Sequence, residues 1–391
     1  SGPNDDADSR LRAFATQAFR RPVAASEIEP YAKIVASRLE AKVPFDRALL
    51  AGYKAILCSP DFLFLGLEPG QYAVASRLAY FLWNSPPDAA LLARAAAGQL
   101  SQPAVLRAEV ERLLADPKSD RFVEHFLDEW LELAKIEFTT PDPQLYPEFD
   151  PWLRDSMLAE TRAYFRKLLD EDRGVEHLIA SDFVLVNQRL AELYGIPGVN
   201  GSKIRPVPVP AKSGRGGFLT QASVLKVTAN GTSTSPVLRG AWIAERLLGV
   251  PRSAPPPNVP AVEPDATGAV TIREMIEKHR ADPACASCHA KFDPPGLALE
   301  QFDVIGGRRD HYRLAGAPKK GDRAVEVVGG TASRNRVKIR VGPAVDPSGE
   351  LADHRKFENV DHLRELLLLD RDPLTRNVIR QFAVYATGSP V

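Results

Sequence analysis

A chain of 391 residues with 44% hydrophobic side chains holds enough apolar material for one large core or two to three ordinary domains, which excludes disorder as its general state. Fifty basic and fifty acidic residues cancel, so no overall field draws the chain to nucleic acid or to an anionic membrane surface. No run of about 18 apolar residues is present to cross a bilayer, and three cysteines cannot build a disulfide scaffold.

The opening SGPNDDADSR carries neither methionine nor signal peptide, which predicts a processed or trimmed chain. DSRLRAFATQAFRRP then shows helical spacing up to Pro22, and AASEIEPYAKIVASRLEAKV starts a second helix with Ser26 as its expected cap. DRALLAGYKAILCSP, QYAVASRLAYFLWNS, SQPAVLRAEVERLLADP, SDRFVEHFLDEWLEL and DPWLRDSMLAETRAYFRKLLDED continue the pattern. Tyr80, Phe81, Trp83, Phe126, Trp130, Trp152 and Phe165 fall on the apolar stripes and read as core. Cys58 lies in an apolar run and is expected to be a buried, inert thiol. The resulting organisation is a helical module over 1–70 and a helical scaffold over 71–200.

Composition shifts to Pro, Gly, Ser and Lys near residues 196–213, a candidate boundary. A further module is expected over 213–314, containing RGGFLTQASVL, SPVLRGAWIAERLLG, a polyproline-like linker and the stretch EKHRADPACASCHAKFDPPG. Over 315–391 the alternation of RAVEVVGG and NRVKIRVG predicts a β-hairpin within 322–345, followed by closing helices VDHLRELLLLD and PLTRNVIRQFAVYATG. The fold class is therefore mainly α, a multi-helix scaffold followed by a module built around the cysteine motif, with a small hairpin inserted.

Two of the three cysteines stand as C-x-x-C with a histidine immediately after. Asp282 and Pro283 form a good helix start, and Cys285, Cys288 and His289 then share one helical face at i, i+3 and i+4. That spacing lets two thiols form thioethers to one porphyrin while the imidazole meets its iron, the arrangement of a single covalent haem c. A zinc site is the first competitor, but no second C-x-x-C or H-x-x-H exists to complete a tetrahedral set. A thioredoxin-like dithiol would need a β-α-β setting, which this helical sequence does not offer. The segment is expected to end at Pro294, Pro295 and Gly296.

Methionine occurs only at 157 and 275, so no axial methionine follows the motif. Met275, the histidines at 279, 311, 354 or 362, or an open position remain for the sixth ligand. Met275 and His279 are the nearest, at i and i+4 of TIREMIEKHR, against plain roles as a core contact and a helix-end histidine. Arg239, one turn into the helix after Ser235 and Pro236, is a candidate partner for a haem propionate, against a structural or solvated arginine. Arg215 with its two glycines is a weaker phosphate-type signal, and VDPSGELADH reads as an ordinary turn rather than a calcium loop.

The order AFRRPV, SPDFLF, RLAYFLWNSPPDAALL, LVNQRLAELYGIPGV, RGGFLTQASVLKVTANGTSTSPVLRGAWIAERLLG, PPPNVP, HRADPACASCHAKFDPPGLALEQFDVIGGRRD and DPSGELAD resembles the planctomycete-type multidomain cytochrome-like proteins, built from consecutive modules of unknown function. The resemblance covers nearly the whole chain. It implies a cytochrome c-like haem module, an exported, periplasmic protein, and haem attachment at Cys285, Cys288 and His289. It further implies that the chain, ending at YATGSPV where the family continues, is a fragment or a short member. His354 stands where the family tends to have glycine, which makes it a poor shared ligand. Three functions stay open: a haem-dependent oxidoreductase acting on peroxide or a carbohydrate, an electron-transfer subunit with two firm axial ligands and a partner protein, and a non-haem binding module. The size of the helical scaffold and the missing downstream methionine favour the first.

Overall fold

The computed structural model describes residues 3–65, 69–251, 272–280, 283–330 and 335–389, with the side chains of 3, 4, 278–280, 283–288, 290 and 291 outside the description. The proline-rich linker lies outside the described residues. The chain divides into two compact units, Ser1–Phe122 and Val123–Val391.

Unit 1 is helical. α1 (Pro3–Ala18), α2 (Ala25–Glu40) and α3 (Phe45–Leu57) pack through Leu11, Ala15, Ile28, Val35, Leu49 and Ile56, pairs that recur at four- and seven-residue intervals and so lie on single faces. Gly52 sits where these helices meet: a Cβ there would stand 2.7 Å from Leu11 and 2.8 Å from Val35. Ser26 is not the cap of α2. The helix begins a residue earlier, and Glu27 reaches back to the Ala24 amide at 2.7 Å. Cys58 is also corrected: it ends α3 on the exposed side, beyond buried Ile56. The short α4 (Pro60–Leu63), α5 (Gln71–Trp83), α6 (Ala89–Ala96) and α7 (Pro103–Ala115) complete the unit. The buried Trp83 indole donates to the Leu113 carbonyl at 2.8 Å.

Unit 2 starts within α8 (Asp120–Trp130) and continues through α9 (Pro151–Asp170) and α10 (Gln188–Tyr194). Asp150 and Asn187 cap these last two helices by accepting from Leu153 and Leu190 amides. β1 (Phe183–Val186), all four of its residues buried, pairs antiparallel with β2 (Arg205–Pro208), which lies within the 196–213 stretch. α11 (Ala222–Val227), α12 (Pro236–Trp242), α13 (Ile272–Arg280) and α14 (Pro283–Ala298) follow, α12 starting at Ser235 and Pro236 as expected and running into a π-helical turn at Ile243–Leu247. The expected hairpin is present as β4 (Ala324–Val328) and β5 (Arg336–Ala344), but β3 (His311–Leu314) joins β5 on the other side to give the order β3-β5-β4. A two-stranded pair, β6 (Gly349–Glu350) with β7 (Lys356–Phe357), precedes α15 (Val360–Leu368) and α16 (Asp372–Thr387). The chain is mostly helical with small sheets. Among the described residues no helix is long and apolar enough to cross a membrane.

Candidate functional site

α14 carries the C-x-x-C-H. It does not stop at Pro294 but continues to Ala298 with Pro294 and Pro295 inside it. Each proline lacks the N–H that an α-helix donates four residues back, so the carbonyls of residues 290 and 291 lose their helical partners. Tertiary packing holds the helix through this defect. α12 crosses α14 backbone to backbone: a Cβ on Gly240 would fall 1.6 Å from the Phe292 carbonyl oxygen, and one on Gly296 1.8 Å from that of Pro236. Only glycine permits that approach.

The helical backbone puts positions 285, 288 and 289 on one face. The side chains of Cys285, Cys288 and His279 lie outside the described residues, and so does Asp282. His289 is described and half-buried. Its Nδ1 lies 3.0 Å from both carboxylate oxygens of Asp293, one turn along, and Asp293 is completely buried. Among the described residues no cluster of three His, Cys, Asp or Glu side chains is arranged to hold a metal ion.

The segment after α14 is held by buried ionic groups. Glu300 receives Thr234 at 2.7 Å, Arg309 at 2.9 Å and the Tyr312 hydroxyl at 3.2 Å, and is itself fully buried. Arg215 donates to the Thr220 and Gly306 carbonyls and lies between the rings of Tyr194, at 3.7 Å, and Phe302, at 4.6 Å. Arg364 donates to the Gly214 and Arg215 carbonyls and to the Thr220 hydroxyl.

Three family models match consecutive stretches: PSD5, a protein of unknown function (DUF1595), over residues 6–66; PSD4, a protein of unknown function (DUF1592), over 70–196; and PSCyt3, a protein of unknown function (DUF1588), over 215–312. The chain belongs to the planctomycete-type multi-module cytochrome-like proteins. No curated protein and no solved structure matches it. In this cytochrome-like protein the PSCyt3 match contains the C-x-x-C-H, Asp293, the α12–α14 crossing and the Glu300 cluster.

Arg239 lies in the same stretch but faces inward. It is fully buried, and its two terminal nitrogens donate to the carbonyls of Leu299 at 2.6 Å, Phe302 at 2.7 Å, Asp303 at 2.9 Å and Leu225 at 3.4 Å, with Glu300 3.5 Å away. Burial lowers its pKa to about 10. These donors tie α12 to the chain after α14, which is the structural role set against the propionate role in the sequence. Met275 is half-buried on α13, beside buried Ile276. Arg273 of that helix binds the 346–348 turn, where Asp346 accepts from the Ser348 amide and hydroxyl, an ordinary Asx turn. His311 touches Arg323, and His362 lies in the first turn of α15. His354 is 88% exposed, pairs with Glu350 at 2.8 Å and has φ +67°, a left-handed conformation that favours glycine. The sequence reading missed Asp293, Glu300 and Arg309. Their signal was available as H-x-x-x-D and E-x-x-D-x(5)-R, polar residues inside an otherwise buried run.

Proposed function

We propose that this chain is an exported c-type haem protein of the oxidoreductase class, in which Cys285 and Cys288 would hold one haem and His289 would bind its iron. One observation carries the reading: three donors of the correct chemistry occupy one face of α14, and the imidazole among them is fixed by a buried carboxylate. The residues present fit the group. A histidine whose Nδ1 is engaged by a carboxylate turns Nε2 toward a metal, the usual support of a ligating imidazole. When bound, haem supplies one-electron chemistry at iron, tuned by its axial ligands and their hydrogen bonds. Cys285 and Cys288 would hold the group, His289 would ligate its iron, and the α12–α14 crossing fixes the helix that carries all three.

The enzyme reading, with peroxide or a carbohydrate as substrate, rests on a scaffold far larger than a carrier needs and on the absence of methionine after 275. The half-buried Met275 on the preceding helix favours a second reading, an electron carrier with a filled sixth position passing electrons to a partner protein. The test is an optical spectrum of protein sent to the periplasm of a host with haem-attachment machinery. A covalent haem that survives acid-acetone extraction is expected, lost entirely in the Cys285→Ser, Cys288→Ser double variant; a wild-type protein without covalent haem overturns the proposal. High-spin ferric iron that binds carbon monoxide once reduced supports the enzyme, and low-spin unreactive iron supports the carrier.

A further inference from the structure

Local sequence rules say that α14 ends before Pro294. A proline disfavours helical conformation in the residue before it, here Asp293, and removes a helical donor at its own position. Two successive prolines double that local penalty, yet the helix continues through them and a pair of backbone-to-backbone glycine contacts secures it. The direct consequence of the helical conformation at 293 is that its side chain stands one turn from His289, on the same face. There the carboxylate is fully buried, a state that a carboxylate reaches only when paired or strongly hydrogen-bonded. Both its oxygens lie 3.0 Å from Nδ1, so the ring is gripped symmetrically.

We infer that Asp293 is a positioning residue for His289: it selects Nε2 as the metal-facing nitrogen, holds the ring plane, and enriches the imidazole in electron density so that ferric iron is favoured over ferrous. The inference rests on the haem reading above. A backbone carbonyl in the same place would orient the ring but would donate less charge, because a charged acceptor forms the stronger bond. The buried setting strengthens this effect, since little water screens the carboxylate. The residue acts through His289 and touches neither substrate nor iron.

The test is the reduction potential and the resonance Raman spectrum of purified holoprotein, wild type against Asp293→Asn and Asp293→Glu. Asparagine keeps the volume and a hydrogen bond but removes the charge. Loss of an outer partner of a ligating histidine typically weakens metal binding about tenfold or more, and a tenfold change in a one-electron equilibrium is about 59 mV. The Asn variant is therefore expected to have a potential higher by at least about 59 mV and, wherever the ferrous iron is five-coordinate, a lower iron–histidine stretching frequency. The Glu variant is expected to stay on the wild-type side of the midpoint between the two. If Asp293→Asn takes up covalent haem with unchanged potential and stretch, Asp293 is merely structural and the inference fails while the haem reading stands. If the Asn variant does not fold, the Glu variant decides: a potential moved by about 59 mV or more in either direction, a tenfold change in the one-electron equilibrium, shows that the carboxylate's presence is not what sets it, and overturns the inference. A wild-type protein without covalent haem overturns both.

Discussion

Burial decides the proton on Glu160. This carboxyl on α9 is 1% exposed, accepts the Tyr194 hydroxyl at 2.6 Å and has Arg215 nearby; desolvation outweighs both and raises its pKa from 4.5 to about 8. A folded-state pKa above the unfolded value means that the native protein binds the extra proton, so the group's contribution to stability is complete below about pH 4.5 and is lost as pH rises through about 8. Glu160→Gln keeps the neutral shape and the acceptor. Denaturant titrations of the wild type are expected to show stability falling between these limits, by at most roughly 1.4 kcal/mol per pH unit from this group, and the Gln variant is expected to have lost that slope. An unchanged slope in Glu160→Gln assigns the pH dependence elsewhere. The same scale shows what the sequence discloses. Covalent haem chemistry needs two thiols and an imidazole at fixed spacing, so Cys285, Cys288 and His289 stand out in a chain poor in cysteine. Asp293 did not stand out, because D-P-P-G reads locally as a helix end and turn, and only long-range packing overrides that.

Among the elements, the α12–α14 crossing concentrates the constraint. Gly240 and Gly296 let two backbones touch, and a side chain at either position would have to displace a carbonyl oxygen already under 2 Å from the added carbon. Gly240→Ala is expected to lower unfolding free energy by about 3 kcal/mol, the upper part of the usual cost of overpacking. Leu238→Ala, on the same helix but 49% exposed, is expected to change stability by no more than about 0.5 kcal/mol. Equal effects from the two substitutions would remove the close approach as the cause. Elements of this kind were only partly legible beforehand. α1, α2 and α3 each bury one face, so their periodicity is plain, and β4 with β5 alternates visibly. β1 is four apolar residues buried on every side, a pattern with no period to read, and its partner β2 contains two prolines. β3 has neither a buried nor an exposed face, so it carried no alternation either.

At the scale of the molecule, the PSCyt3 stretch is embedded in its surroundings. Lys226 on α11 is buried and donates to the Ile136 and Thr139 carbonyls at 2.5 and 2.7 Å. Tyr194 accepts the Ala222 amide, Arg313 reaches the Leu145 carbonyl and Glu148, and Arg364 holds the Gly214 and Arg215 carbonyls from the C-terminal side. Trp130 and Asn377 both donate to the Arg246 carbonyl at 2.6 Å, joining α8, the π-helical turn and α16 at one atom. Composition hides these ties, since buried arginines and lysines look like surface residues in a sequence. A fragment spanning 213–314 would leave Lys226 buried or newly hydrated without acceptors, strip Arg215 of Tyr194, and open the carbonyls that Arg364 satisfies. Each unmet buried polar group costs on the order of 1–3 kcal/mol, and only a handful of such losses exceeds the stability of an ordinary domain. That fragment is therefore expected to show no cooperative unfolding transition in circular dichroism, whereas one beginning at Pro117 and ending at Val391, with α8 whole, is expected to unfold cooperatively. A cooperatively unfolding 213–314 fragment would show that the module folds on its own contacts and that these outer ties only adjust it.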